Sequence, residues 1–239
     1  MIDNMKVCVL IAAAGMSNRM KSDINKTFLL IDGKPVLAHT IQKFEKSKYV
    51  DEIIVLAREE EIDYVNENII RPGNFKKVID VIPGGNSRQS SIKNGLERLD
   101  DDVDIVLTQD GARPFVHVET IDNAIESVLE LRAVVVGVPV KDTIKSVYDD
   151  GGTKVYLTPK RSLLWCAQTP QVFYAEDLKR AYIYAEREGI EGTDDSSLIE
   201  KYGLEVSMVM GSYDNIKITT PEDLVLAKLF AKSLGEQNV

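Results

Sequence analysis

Residues 7–26 read VCVLIAAAGMSNRMKSDINK, and the fold follows from how that stretch begins and ends. Val7 to Ile11 is an apolar run with the length and β-branched content of a buried strand. Ala12, Ala13, Ala14 and Gly15 follow, so the backbone is nearly bare where the strand stops. Two fixed cations, Arg19 and Lys26, stand on the polar segment beyond. A strand end, a small-residue turn whose N–H groups can approach an anion, and nearby positive charge together make a phosphate cradle. The pattern is neither GxxxxGK[ST] nor GxGxxG. Small residues after a strand are equally well explained by tight packing; the added Arg and Lys favour the cradle.

Working outward, strands and helices alternate at short spacing. Thr27 to Ile31 reads as a short strand, Asp32 to Pro35 as a turn, and Pro35 opens a helix with Val36, Leu37, Ile41 and Phe44 on one side. Glu52–Ala57, Lys77–Ile82, Asp104–Thr108, Val134–Val138 and Leu204–Met208 are further strands. Helices are expected over Glu60–Ile70, from Ser87, over Asp177–Glu188, after Gly192 with acids in the first turn, and from Pro221 with Thr220 as N-cap. This order predicts an α/β, Rossmann-like domain: a mostly parallel twisted sheet with helices on both faces. Ligands in such sheets bind beyond the carboxyl ends of the strands. The Ala-Gly loop, the Gly84-Gly85-Asn86 turn and Asp110 all fall there.

One region breaks the alternation. Thr143–Tyr148 and Thr153–Thr158 flank Asp149-Asp150-Gly151-Gly152, a hairpin signal. Ile144, Val147, Val155 and Leu157 have nothing local to cover them, so a protruding arm that buries them on a second copy of the chain is expected. The whole of residues 1–239 then reads as one domain with the arm, about 139–160, inserted, and no fused second enzyme is expected.

A 239-residue chain with 44% hydrophobic and 28% charged residues can bury a full core. The net charge of −9 argues against a nucleic-acid surface, while leaving room for a few focused cations to bind a small polyanion. The chain has neither a membrane-length apolar run nor a signal-peptide pattern, so a cytoplasmic location is expected. Its two cysteines, Cys8 and Cys166, make no disulfide framework or zinc spacing, and its two histidines, His39 and His117, read as structural. Trp165 reads as packing.

Three motifs have both a bland and a functional reading. Gly84-Gly85-Asn86 is a strand-to-helix turn, or a place where backbone amides meet a flat ring with Ser91 one helical turn on. Asp110 either caps a turn or offers a carboxylate to a divalent cation on a triphosphate. Lys217, between Ile216 and Ile218 in a strand-like run, faces either solvent or an anion.

Ala12 to Met20 with Lys26-Thr27-Phe28 resembles the signature loop of nucleotidyltransferases that join a nucleoside triphosphate to a sugar phosphate. Asp110-Gly111-Ala112-Arg113-Pro114, Lys141-Asp142-Thr143, Gln168-Thr169-Pro170-Gln171 and Asn215-Ile216-Lys217 narrow the resemblance to the 2-C-methyl-D-erythritol 4-phosphate cytidylyltransferase family, over essentially the whole chain. One departure is Asn25, where the family commonly has proline; it is expected to loosen the loop without removing a chemical group.

The resemblance implies cytidylyl transfer from CTP with Mg²⁺ held by Asp110. Ala13, Ala14, Gly15, Gly84, Gly85, Asn86, Ser91 and Gly111 would bind the nucleotide, and Arg19 and Lys26 would stabilise the reacting phosphorus. Arg113, Thr143, Arg161, Thr169, Thr193 and Lys217 would hold the sugar phosphate, with Thr143 reaching a neighbouring chain's site in an arm-linked homodimer. Two other readings share part of the pattern: ribitol 5-phosphate cytidylyltransferase, and a CTP-binding regulatory module without turnover. The second would be expected to have lost one of Arg19, Lys26, Asp110, Arg161 or Lys217, and all are present.

Overall fold

The computed structural model describes residues 1–15 and 25–236. The first strand, β1 (Lys6–Ala12), is followed by a small hairpin of β2 (Leu30–Ile31) and β3 (Lys34–Pro35), then α1 (Val36–Lys46) and β4 (Glu52–Ala57). A helical run containing α2 (Ile62–Val65) and α3 (Arg71–Gly73) leads to β5 (Val78–Pro83), α4 (Arg88–Arg98), β6 (Val103–Asp110), α5 (Val118–Leu131) and β7 (Ala133–Pro139). A second hairpin, β8 (Ser146–Val147) and β9 (Val155–Leu157), precedes the long strand β10 (Trp165–Tyr174). After it come α6 (Ala175–Glu188), α7 (Asp195–Tyr202), β11 (Ser207–Met210) and α8 (Pro221–Glu236).

Seven strands form one sheet in the order β11-β7-β10-β6-β1-β4-β5. All neighbours are parallel except β10, which runs antiparallel to both β6 and β7. Because side chains alternate along a strand, β1 feeds two cores. Val7, Val9 and Ile11 pack with Leu37, Ile41 and Phe44 of α1 and with Ile121 and Ile125 of α5. Cys8 and Leu10 face the other way, towards Ile92 and Leu96 of α4 and Leu178 of α6. Each of these β1 side chains is 0% exposed, worth about 1.5–3 kcal/mol for a large aliphatic group. The mostly parallel sheet with helices on both faces is therefore as expected.

The chain steps outward from β1 through β4 to β5, then returns to lay β6 on the other side of β1. That reversal is a topological switch point, the place where an open α/β sheet leaves a crevice. Ala12 and Asp110, the last residues of β1 and β6, are register partners across it.

Several local expectations are corrected. Thr27–Phe28 is not strand: Lys26–Phe28 forms a 3-10 turn capped by Asn25, and only Leu30–Ile31 pairs as strand. The helix expected over Glu60–Ile70 changes pitch, with a 3-10 turn at Glu59–Glu61 and a π turn at Asn66–Ile70. Pro72 is the physical reason for the wider turn, since it has no N–H to donate and its ring crowds the carbonyl four residues earlier. The strand placed at Leu204–Met208 lies at Ser207–Met210. Lys217 lies outside any regular strand, in the segment between β11 and α8. β10 was not expected at all: Gln168, Thr169 and Pro170 interrupt its apolar pattern, and the ladder to β7 shifts register between Ala167 and Gln171.

The hairpin β8–β9 forms where Asp149-Asp150-Gly151-Gly152 predicts it, with Gly151 at φ +72°. Ile144, Val147, Tyr148, Val155, Tyr156 and Leu157 are all exposed on it. Trp165, expected to pack, is 38% exposed beside the same arm. Among the described residues no helix is long and apolar enough to cross a membrane.

Candidate active site

Above the switch point the strand ends enclose a cleft of about 660 Å³. One wall is the bare backbone of Ala12, Ala13, Ala14 and Gly15; the second is Gly84, Gly85, Asn86 and Ser91; charged side chains, among them Lys26, Glu59, Glu60, Asp110 and Lys217, line the rest. Sequence reasoning therefore placed ten of its residues, Ala13, Ala14, Gly15, Lys26, Gly84, Gly85, Asn86, Ser91, Asp110 and Lys217, in one cavity.

The two backbone walls meet closely. A Cβ on Gly84 would lie 2.6 Å from Ala14 Cβ and 2.9 Å from Ser91 Oγ, and one on Gly85 would lie 2.2 Å from Ser90 Oγ. Neither glycine is needed for an unusual φ; they are needed for approach. Ser91 Oγ accepts from Gly85 N at 3.0 Å and donates to Ser87 O at 2.8 Å, while Ser87 caps α4. The turn is thus held with its surface open to the cleft, a shape suited to a flat ring.

Asp110 is the electrostatic centre. Its Oδ1 accepts from Arg88 Nε at 3.1 Å; its Oδ2 accepts from Arg113 Nε at 3.2 Å and pairs with Lys217 Nζ at 2.9 Å. Burial pushes the Asp110 carboxyl up, but Lys217, Arg88 and Arg113 together outweigh burial and hold it well below the usual carboxylate range. Arg88 reaches further, donating from Nη1 to Asp195 Oδ2 at 2.7 Å. Asp195 also accepts from Thr108 Oγ1 at 2.6 Å and Tyr182 OH at 2.5 Å. Burial works against the Arg88 charge, but Asp195 and Asp110 hold it protonated. Among the side chains that line the cleft, Lys26, Arg58, Arg88 and Lys217 stand against Glu59, Glu60 and Asp110, a small excess of positive charge that suits a polyanion.

Arg88 and Arg58 line the cleft too, and sequence reasoning missed both. Arg88 follows Asn86-Ser87 directly, so its place in the first turn of α4 was the available signal. Nothing local marked Arg58.

Other expected residues stand apart from the cavity wall. Gly111 N donates to Ala12 O at 2.9 Å, tying the ends of β6 and β1 together. Thr169 is buried under Asp110, its Oγ1 accepting the Asp110 N–H at 3.1 Å. Thr193 is exposed just before α7. Thr143 and Arg161 are exposed on and beside the arm, with Arg161 Nη1 donating to Lys141 O at 3.0 Å. Arg19 lies outside the described residues. Asn25, expected to loosen the loop, is itself 2% exposed, and its side chain hydrogen-bonds Ala13, Thr27 and Glu61; residues 16–24 of that loop lie outside the described residues.

Neither histidine is in the cleft: His39 Nε2 pairs with Ile31 O and His117 Nε2 with Asp214 Oδ2, each at 2.8 Å. Cys8 is buried and Cys166 exposed, both as free thiols.

Comparison with known proteins agrees with this geometry. A protein from Clostridioides difficile (strain 630), named 2-C-methyl-D-erythritol 4-phosphate cytidylyltransferase, is 53% identical over 220 residues, covering 92% of this chain and 91% of its own. One of the same name from Geotalea uraniireducens (strain Rf4) is 46% identical over 235 residues, covering 98% of this chain and 100% of its own. The crystal structure of 4-diphosphocytidyl-2C-methyl-D-erythritol synthase from Anaerococcus prevotii DSM 20548 superimposes with a TM-score of 0.86 at 31% identity, over 97% of this chain and 98% of that one. The family profile described as IspD, 2-C-methyl-D-erythritol 4-phosphate cytidylyltransferase, matches residues 7–233, and the chain belongs to that family.

Proposed function

We propose that this protein transfers the cytidylyl group of CTP to 2-C-methyl-D-erythritol 4-phosphate, giving 4-diphosphocytidyl-2-C-methyl-D-erythritol and pyrophosphate for isoprenoid precursor synthesis. The observation that carries the reading is the buried Asp110 carboxylate ringed by Arg88, Arg113 and Lys217, in one cleft with the bare backbone of Ala13 to Gly15 and with Lys26.

A phosphate oxygen of the sugar phosphate attacks the α-phosphorus of CTP, the bond to the β-phosphate breaks, and pyrophosphate leaves. Both reactants are anions, so the work of the protein is alignment and charge neutralisation. The Gly84-Gly85-Asn86 turn with Ser91 takes the cytosine ring, and the 13–15 backbone takes the triphosphate. Lys26 and Arg19 neutralise charge at the crowded phosphorus. Lys217 and Arg161 position the attacking phosphate, helped by Arg113, Thr169 and Thr193. That phosphate is already ionised, so no general base is required, in keeping with histidines engaged elsewhere.

Asp110 suits Mg²⁺ as a single carboxylate ligand. Among the described residues no group of three or more His, Cys, Asp or Glu side chains is placed to hold a metal, so the other ligands would be phosphate oxygens and water. A carboxylate has about four acceptor positions, and three donors occupy three of them, leaving Oδ1 with room for one more. When bound, the metal would supply charge compensation on the triphosphate.

The exposed apolar arm supports a homodimer in which Thr143 and Arg161 serve the neighbouring chain's cleft, with residues 1–239 acting as one domain. The test is pyrophosphate release with CTP and Mg²⁺, run in parallel with methylerythritol 4-phosphate and ribitol 5-phosphate. Strong preference for the first is expected. Preference for the second moves the protein to the sister activity, and silence with both from protein that still binds CTP makes it a regulatory module.

A further inference from the structure

Lys26 stands on the 3-10 turn Lys26–Phe28, three residues long and with no stability of its own. What holds it is the residue before it. Asn25 Oδ1 accepts from Thr27 N at 3.1 Å and Thr27 Oγ1 at 2.9 Å, and Asn25 Nδ2 donates to Ala13 O at 2.9 Å and Glu61 Oε2 at 2.8 Å. Both hydrogens and both lone pairs of the carboxamide are therefore used. Glu61 is in turn 3.6 Å from Arg58 Nη1, and Arg58 donates to Ala14 O at 3.4 Å and Gly15 O at 3.3 Å. A closed circuit thus runs from Ala13 through Asn25, Glu61 and Arg58 back to Ala14 and Gly15. It joins the end of β1, the root of Lys26 and the turn after β4.

We infer that Asn25 and Glu61 are positioning residues that fix Lys26 against the Ala13–Gly15 backbone, so that its ammonium meets the reacting phosphorus without reorganising. Lys26, Thr27 and Arg58 line the cleft, whereas Asn25 and Glu61 do not, so these two act only through their neighbours. Asn25 is almost fully buried, and losing Glu61 strands one of its N–H donors where water is scarce. The carboxamide then rotates, Thr27 loses its acceptor, and Lys26 is released. The inference rests on the proposed cytidylyl transfer for its kinetic consequence, though not for the clamp itself.

The test pairs kinetics with amide exchange. Asn25→Ala, Glu61→Ala and Glu61→Gln are made in the natural sequence, and Glu61→Ala also on Lys26→Ala. Both alanine variants are expected to lose turnover on the order of 10-fold with KM for CTP nearly unchanged, as for a misplaced charge-stabilising group. Glu61→Gln keeps an acceptor for Asn25 and is expected to recover most of the loss. On Lys26→Ala, the Glu61→Ala change is expected to add almost nothing, because residues acting as a unit are non-additive. A full second loss there, or a loss confined to KM, overturns the inference. Independently, the Thr27 amide is expected to exchange on the order of 10-fold faster in both alanine variants. Unchanged exchange overturns the clamp. If the natural protein transfers no cytidylyl group, the functional proposal fails while the exchange result still decides the clamp.

Discussion

Lys217 Nζ lies 2.9 Å from Asp110 Oδ2, although one residue ends β6 and the other belongs to the segment leading into α8. The backbone brings them together: Ile218 N donates to Ala112 O at 2.9 Å, and the Ile218 side chain is fully buried with Val36 and Phe115. The lysine before it is drawn over the end of the strand. That contact sets the charge balance on which the first prediction rests.

Asp110→Asn is expected to cost on the order of 3 kcal/mol at neutral pH, because it leaves Arg88, Arg113 and Lys217 short of a counter-charge. The carboxyl is depressed in the folded state from an unfolded value of about 3.9. Its contribution is therefore fully present above that value and lost as pH falls through the folded one. Urea midpoints from pH 7 down to 3 should show the gap between natural protein and variant narrowing below pH about 4. A gap that stays constant would remove Asp110 as the source.

Lys26→Ala is expected to lower turnover on the order of 10²-fold, the scale for removing one charge-stabilising donor. Steady-state kinetics on protein with an unchanged melting temperature would check it. Near-normal turnover would break the assigned role.

Gly84→Ala places a methyl where Ala14 Cβ is 2.6 Å and Ser91 Oγ 2.9 Å away. Overpacking of this kind costs about 1–3 kcal/mol, and here it forces apart the two walls proposed to take the nucleotide. Affinity for CTP should weaken on the order of 10-fold. Calorimetric titration giving unchanged affinity would show that the two walls need not stay close.

Leu157 and Leu163 are 52% and 74% exposed on and just beyond the arm. Light scattering should give a mass of two chains for the natural protein and one for the double variant Leu157→Asp, Leu163→Asp. A one-chain mass for the natural protein over a range of dilutions would remove the arm's dimer role, and with it any part for Thr143 in a neighbouring site.

Periodicity alone was enough to read most of the sheet. The alternation along β1, the strand Glu52–Ala57 and the cap at Ser87 are local patterns, set by side-chain period and by hydrogen bonds within a few residues. The quoted motifs likewise led to the cleft, because residues at the carboxyl ends of parallel strands must converge once the strands are ordered around β1. Several of the misreadings were of features imposed from a distance. β10 is a strand because β6 and β7 offer it partners on both sides, despite Gln168-Thr169-Pro170. Trp165 is 38% exposed at the first residue of β10, where it pairs with Pro139 at the end of β7, and Arg88 became a site residue because Asp110 and Asp195, far apart in the chain, meet at its guanidinium. Asn25 was misread for the same reason. By sequence it is a residue standing where the family commonly has proline, yet Ala13 and Glu61 supply partners that hold its side chain. Local propensity is written in neighbouring residues, whereas a buried polar group is decided by whichever distant partner the fold delivers to it.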